Sequence, residues 1–231
     1  MSKGLFITAT GTDVGKTYVT ALIVKKLREA GLKAGYYKAA LSGAEKIGDK
    51  LVPGDAEYVN RTAVIGARLE NMVSYVYQNA VSPHLAAQIE GNPVELAKVL
   101  TDYAKVKNCY EYVTVEGSGG IVCPIRYDEQ QQLFLSDIIT AMNLSTLIIA
   151  DAGLGTINNV VLTVEYIQRR KIEVKGIILN HYIGDVMQDD NVKMIEAITN
   201  IPVIAHIKAN DSDLDIDVEV LAGLYEEDVI K

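Results

Sequence analysis

Ten consecutive residues near the start of the chain, Thr8-Ala9-Thr10-Gly11-Thr12-Asp13-Val14-Gly15-Lys16-Thr17, carry the most specific chemistry in the sequence. A Gly-Lys-Thr that opens a helix, after a strand and a tight loop, is a cradle for phosphate. Backbone N–H groups and the helix N-terminus attract the anion. Lys16 adds a point charge near the β and γ phosphates, and the Thr17 hydroxyl is suited to Mg²⁺. The usual form, G-x-x-x-x-G-K-T, has glycine where this chain has Thr10, so the loop is a variant.

Other polar residues sit where short apolar runs end. Tyr37-Lys38-Ala39-Ala40-Leu41-Ser42-Gly43 closes one run and Pro53-Gly54-Asp55-Ala56 follows in what reads as a loop. Val115-Glu116-Gly117-Ser118-Gly119-Gly120 closes another with a carboxylate and three glycines, and Asn180 follows a third. Mg²⁺ that arrives with a nucleotide prefers oxygen ligands and keeps several waters, so Thr17 with Asp55 and Glu116 would suffice.

These residues need a scaffold that gathers them. Gly4 to Ala9, Ala34 to Lys38, Tyr110 to Val115, Thr146 to Ala150, Val174 to Leu179 and Val203 to Ile207 read as short buried strands. Helical spacing appears in Val19, Ile23, Val24 and Leu27, with Gly31 as a stop, and again around Ile157 to Arg170 and Val192 to Ile198. Asn92-Pro93-Val94-Glu95 reads as a further helix start, with Asn92 as N-cap and Pro93 at the first helical position. The alternation predicts an α/β fold: a mainly parallel β-sheet flanked by helices on both faces, in one domain over residues 1–231. In such sheets ligands collect at the carboxyl ends of the strands, where the polar residues lie.

Composition narrows the partners. A net charge of −8 disfavours nucleic acid, and no apolar run reaches the length of a membrane span. The N-terminal run is too short and too β-branched for a signal peptide, so a cytoplasmic location is expected. Cys109 and Cys123 sit in no metal or redox spacing and read as buried thiols.

In order and spacing, the loop at 8–17, Lys38 with Ser42, Asp55, Ser82-Pro83-His84, Glu116 to Gly120, Gly155 to Asn158 and Asn180 closely resemble the dethiobiotin synthetases of biotin biosynthesis. The resemblance runs from about residue 3 to about residue 210 and implies a P-loop NTPase-like fold. It also implies an ATP-dependent cyclo-ligase that joins CO2 to 7,8-diaminopelargonic acid, with Mg²⁺ as cofactor, and closes the ureido ring of dethiobiotin. On the matching positions, ATP would lie on Asp13, Val14, Gly15, Lys16, Thr17, Tyr18, Glu116, Gly119 and Asn180. Asn180 would read the adenine edge with a paired donor and acceptor. Lys16, Lys38, Thr12 and Ser42 would act on the reacting groups, and Thr17, Asp55 and Glu116 would hold the metal. Thr12, Lys38 and Ser42 would also bind the diamine, whose carboxylate would reach Gly155-Thr156-Ile157-Asn158 across a homodimer interface. Pro202 to Asn210 would form the other wall of the base pocket; His84, His181 and His206 carry no separate role.

Relatives often have glycine at position 9, glutamate at 13 and alanine at 118, where this chain has Ala9, Asp13 and Ser118. Two other readings keep the phosphate loop. A nucleotide-switched regulatory ATPase of the partition or septum-placing kind carries a lysine five positions before the phosphate lysine, where this chain has Gly11. An ATP-dependent amidating enzyme usually carries a glutaminase domain with a nucleophilic cysteine, a setting that neither Cys109 nor Cys123 occupies. Replacing Lys16 or Lys38 by alanine is expected to cut turnover by orders of magnitude while leaving the fold intact.

Overall fold

The computed structural model describes residues 2–227; the last four residues of the acidic segment 211–231 lie outside the described residues. Strand β1 (Lys3–Ala9) leads through the phosphate loop into helix α1 (Lys16–Glu29), and β2 (Ala34–Leu41) follows. A hairpin of β3 (Glu45–Ile47) and β4 (Lys50–Val52) precedes α2 (Gly54–Thr62) and then β5 (Val73–Val76). Helices α3 (Pro83–Glu90) and α4 (Leu96–Lys107) lead to β6 (Tyr112–Glu116). A second hairpin, β7 (Pro124–Tyr127) with β8 (Gln132–Phe134), is followed by α5 (Leu135–Met142) and β9 (Thr146–Asp151). The alternation continues through α6 (Thr156–Arg169), β10 (Val174–Asn180), α7 (Val186–Thr199) and β11 (Val203–Ile207). Helix α8 (Val218–Gly223) and β12 (Glu226–Glu227) come last.

The main sheet runs β11-β10-β9-β1-β6-β2-β5 with every neighbouring pair parallel, and β12 adds an antiparallel bridge to the start of β1. Alternation along β1 explains why both faces need cover: Leu5, Ile7 and Ala9 join the core beneath α1, α2 and α8, whereas Phe6 joins the core beneath α4 to α7. Helices therefore flank the sheet on both faces, as the alternating pattern predicts.

Three local readings are corrected. The helix expected at Asn92 begins at Leu96, because residues 92–95 are used to anchor the segment instead. Asn92 N–H closes the end of α3 on Ala87, its carbonyl accepts from the Tyr77 hydroxyl, and Val94 is buried in the core. The segment Pro53 to Ala56, read as a loop, is the start of α2, with Asp55 and Glu57 in the first turn where carboxylates favour the helix dipole. Of the two thiols, Cys123 is buried as expected but Cys109 is exposed, just past the end of α4.

The step from β6 into the glycine-rich segment depends on Gly117, whose N–H donates to the Ile7 carbonyl at 2.9 Å. A Cβ there would stand 2.8 Å from Leu135 Cδ2 and 2.9 Å from Phe6 Cε1, with the Ile7 carbonyl oxygen at 3.3 Å. Gly117→Ala is therefore expected to lower stability by about 1–3 kcal/mol, measured by urea unfolding. Unchanged stability would show that β1, the end of β6 and α5 are looser here than the contacts imply.

Candidate active site

The register of the parallel strands builds the centre of the site. Lys38 of β2 pairs directly with Glu116 of β6, so their side chains emerge side by side on one face. Tyr36, two residues earlier, shares that face and donates to Glu116 Oε2 at 3.3 Å. Glu116 is 1% exposed and Lys38 3% exposed, and a buried charge at such depth requires a partner. Lys38 Nζ lies 2.8 Å from Glu116 Oε1 and 2.5 Å from Asp55 Oδ2, which α2 delivers from its first turn. Thr17 Oγ1, at the start of α1, donates to the same Glu116 oxygen at 2.8 Å.

Electrostatics separate the two lysines. Burial pulls the Lys38 ammonium toward the neutral form, but the adjacent Glu116 and Asp55 charges outweigh it and hold the pKa above its ordinary value. Burial likewise works to raise the Asp55 carboxyl, yet the Lys38 charge and hydrogen bond bring it below the usual carboxylate value. The Lys16 pKa is lowered, first by burial; the Lys38 charge adds to this and Glu116 opposes it. Lys16 has no hydrogen bond or ion pair among the described residues, so its charge is free for an incoming anion.

A cleft of about 370 Å³ opens over these groups. Thr12, Asp13, Gly15, Lys16, Thr17 and Tyr18 line it from the phosphate loop, with Lys38, Ser42, Asp55 and Gly119 opposite. Val14 and Asn180 stand beside it: Asn180 Nδ2 donates to the Val14 carbonyl at 3.0 Å. The Asn180 amide approaches so closely that a Cβ on Gly15 would fall 2.1 Å from Nδ2. One Asn180 N–H is thus committed to the loop, and Oδ1 is buried and without a partner among the described residues. Gly155, Thr156, Ile157 and Asn158 lie outside the cleft, at the start of α6, where Gly155 caps the helix without a side-chain bond. Helix α1 starts the same way on Gly15, with no side-chain cap and no acid in its first turn, as an anion site requires.

The variant positions have local explanations. Ala9 and Thr10 avoid positive φ, so neither needs glycine; Thr10 N–H donates to Ile149 instead. Asp13 has φ of 60°, a left-handed conformation that suits aspartate better than glutamate. Ser118 Oγ donates to the Ala40 carbonyl at 2.6 Å and ties the glycine-rich segment to the end of β2. Sequence reasoning missed Tyr36, although its two-residue spacing from Lys38 is the signal that would have found it.

A family model described as an AAA domain matches residues 3–214. An ATP-dependent dethiobiotin synthetase from Brachyspira hyodysenteriae is 50% identical over 227 residues, covering 98% of this chain and all of the relative. One from Clostridium botulinum is 48% identical over 228 residues, with the same coverage. The chain belongs to the dethiobiotin synthetase family. Among solved structures, the MinC:MinD cell division complex of Aquifex aeolicus has a TM-score of 0.54 at 15% identity, covering 90% of this chain and 81% of that one. A ParA family ATPase from Chlorobium tepidum has a TM-score of 0.55 at 11% identity, covering 91% and 86%. At such identities the likeness is one of fold alone.

The geometry divides the two lysines in a stability assay and revises the expectation that both alanine variants leave the fold untouched. Lys38→Ala leaves Glu116 buried and unpaired and is expected to cost about 3–5 kcal/mol. Lys16→Ala relieves an unpaired, partly desolvated charge and is expected to keep or raise the melting temperature of the nucleotide-free protein. Thermal melts of the three proteins check both. The raised Lys38 pKa makes its contribution full below its ordinary pKa and lost as pH rises through the folded value. Asp55, lowered, contributes above its ordinary pKa and loses that contribution as pH falls through its folded value.

Proposed function

We propose that the protein is an ATP-dependent dethiobiotin synthase, a cyclo-ligase acting on 7,8-diaminopelargonic acid, CO2 and ATP. The observation that carries this reading is the second lysine in the phosphate-loop cleft, Lys38, held there by Asp55 and Glu116. Binding a nucleotide requires Lys16 and the loop. A reaction that brings a carbamate against a triphosphate sets two anions together, and a cation on each side of the transferred phosphoryl group offsets their repulsion.

In this reading one amine of the diamine adds to CO2 and loses a proton to give the carbamate. A carbamate oxygen attacks the γ phosphorus, the bond to the bridging oxygen breaks, and ADP departs. The second amine then attacks the carbonyl carbon of the mixed anhydride, closes the ureido ring and expels phosphate. Lys16 carries charge on the transferred group from the loop side, and Lys38 faces the carbamate from β2. Ser42 and Thr12 line the same cleft and orient the amines and carbamate through their hydroxyls.

The oxygen donors Thr17, Asp55 and Glu116 converge from three elements and include no nitrogen or sulfur, a set that fits Mg²⁺. Bound there with the nucleotide, the ion would neutralise phosphate charge. The start of α6 at Gly155 to Asn158 is the proposed anchor for the substrate carboxylate, reached from a partner subunit. Its support is an uncapped helix N-terminus, a buried Thr156 hydroxyl without a partner among the described residues, and Leu154 beside it at 92% exposure.

Phosphate release tests the assignment directly. With ATP, Mg²⁺ and bicarbonate, release is expected only when the diamine is added, together with one dethiobiotin per phosphate. Equal release without diamine would return the chain to the nucleotide-switch reading. Lys16→Ala should lower turnover by orders of magnitude in the same assay.

A further inference from the structure

The proposed metal ligands and the second lysine of the cleft compete for one atom. Glu116 Oε2 accepts from the Tyr36 hydroxyl at 3.3 Å, and Tyr36 is a fully buried side chain that does not line the cleft. Glu116 Oε1 accepts from Thr17 Oγ1 at 2.8 Å and from Lys38 Nζ at 2.8 Å, and both of those residues do line it. Oε1 is thus the Glu116 oxygen turned toward the cleft. Lys38 Nζ also lies 2.5 Å from Asp55 Oδ2, so one ammonium bridges two of the three residues proposed to hold the ion.

A carboxylate oxygen offers about two lone-pair sites, and Oε1 already has two donors. A divalent cation that takes Thr17 and Glu116 together needs one of those sites. Thr17 is a co-ligand in that set, so the partner that must leave is Lys38. Burial works against the charge of Lys38, but Glu116 and Asp55 outweigh it and keep the ammonium protonated. Two cations would therefore meet at one buried carboxylate oxygen, where like charges repel strongly. Lys16, by contrast, has no ion pair to give up.

We infer that the Lys38 ammonium is a place-holder for the divalent cation, which displaces it from Glu116 Oε1 and Asp55 and so releases it into the cleft that Ser42 and Thr12 line. This rests on the proposed ligand set of Thr17, Asp55 and Glu116. The release couples the two halves of the site. Until a metal-loaded nucleotide arrives, the charge of Lys38 is engaged by two carboxylates and offers little to an anionic co-substrate. Afterwards it faces the carbamate. The move precedes phosphoryl transfer and is complete before the chemistry begins.

Mn²⁺, a paramagnetic substitute for Mg²⁺, is titrated into the nucleotide-free protein and its unbound fraction read by electron paramagnetic resonance. Lys38→Met keeps the length of the side chain and removes the charge. It is expected to bind Mn²⁺ roughly tenfold more tightly than the natural chain, whereas Lys38→Arg, which keeps a cation, should show no gain. Mg²⁺ should likewise raise the melting temperature of Lys38→Met more than that of the natural chain. Should Lys38→Met fail to fold, the natural chain still decides. With ADP at saturation, added Mg²⁺ should speed hydrogen exchange of the Lys38 ammonium, followed by ¹⁵N spectra, because its two carboxylate bonds are lost. Equal Mn²⁺ affinity in the natural chain and Lys38→Met, or an unchanged exchange rate, overturns the place-holder role. The ligand set is judged separately by Mn²⁺ titration with ADP present, where Glu116→Gln and Thr17→Val should each weaken binding. If they do and Lys38→Met gains nothing, the set stands and the place-holder role is wrong. If they do not, both fall.

Discussion

A carboxylate buried at the end of a central strand constrains everything around it. Glu116 has almost no contact with water, and a parallel register that places Lys38 directly opposite is what makes its charge tolerable. That pair then dictates its neighbours. Tyr36 must lie on the same face to bond the second carboxylate oxygen, α2 must come close enough for Asp55 to share the ammonium, and α1 must start where Thr17 reaches Glu116. Lys16 and Lys38 are matched there by Asp55 and Glu116, and Asp13 adds a third carboxylate at the edge of the cleft. The arrangement is rigid because each member is fixed by another's charge, and a rigid polar site needs little reorganisation during phosphoryl transfer.

Much of this was legible in the chain itself, for a physical reason. The strands that build the site are apolar on both faces, so they appear as short continuous runs, and the chemistry sits at the residue where each run stops. Lys38, Glu116 and Asn180 were found that way. Less legible were elements whose role is set by distant contacts. Val94 is buried by the core around β5 and β6, and this overrides a good local helix signal at Asn92-Pro93. Asp55 reads as a loop residue because Pro53 and Gly54 mark a turn as readily as a helix start. The commitment of the Asn180 amide to Val14 cannot be read from spacing, since 166 residues separate the partners.

The loop also shows how one fold supports different uses of a nucleotide. The MinD and ParA structures share this sheet and its flanking helices at very low identity, and fold at that level says nothing about chemistry. What this chain does with a nucleotide is therefore read from its own residues, Lys16 in the loop and Lys38 within β2. Thr10, Asp13 and Ser118 depart from common forms without straining the backbone, because each is matched to the conformation or the bond that its position requires.

Strand β1 lies in the middle of the sheet, yet it is the first element of the chain. Its two long partners are β6 and β9, at residues 112–116 and 146–151. As the polypeptide leaves the ribosome, an apolar strand with both edges open must therefore wait while well over a hundred further residues are made. At about 5–20 residues per second that exposure lasts for several seconds or longer. The phosphate loop follows β1 directly and rests on Ile149 of β9, so it too takes its final shape only after β9 has emerged. Nucleotide can thus reward only a chain that is largely complete.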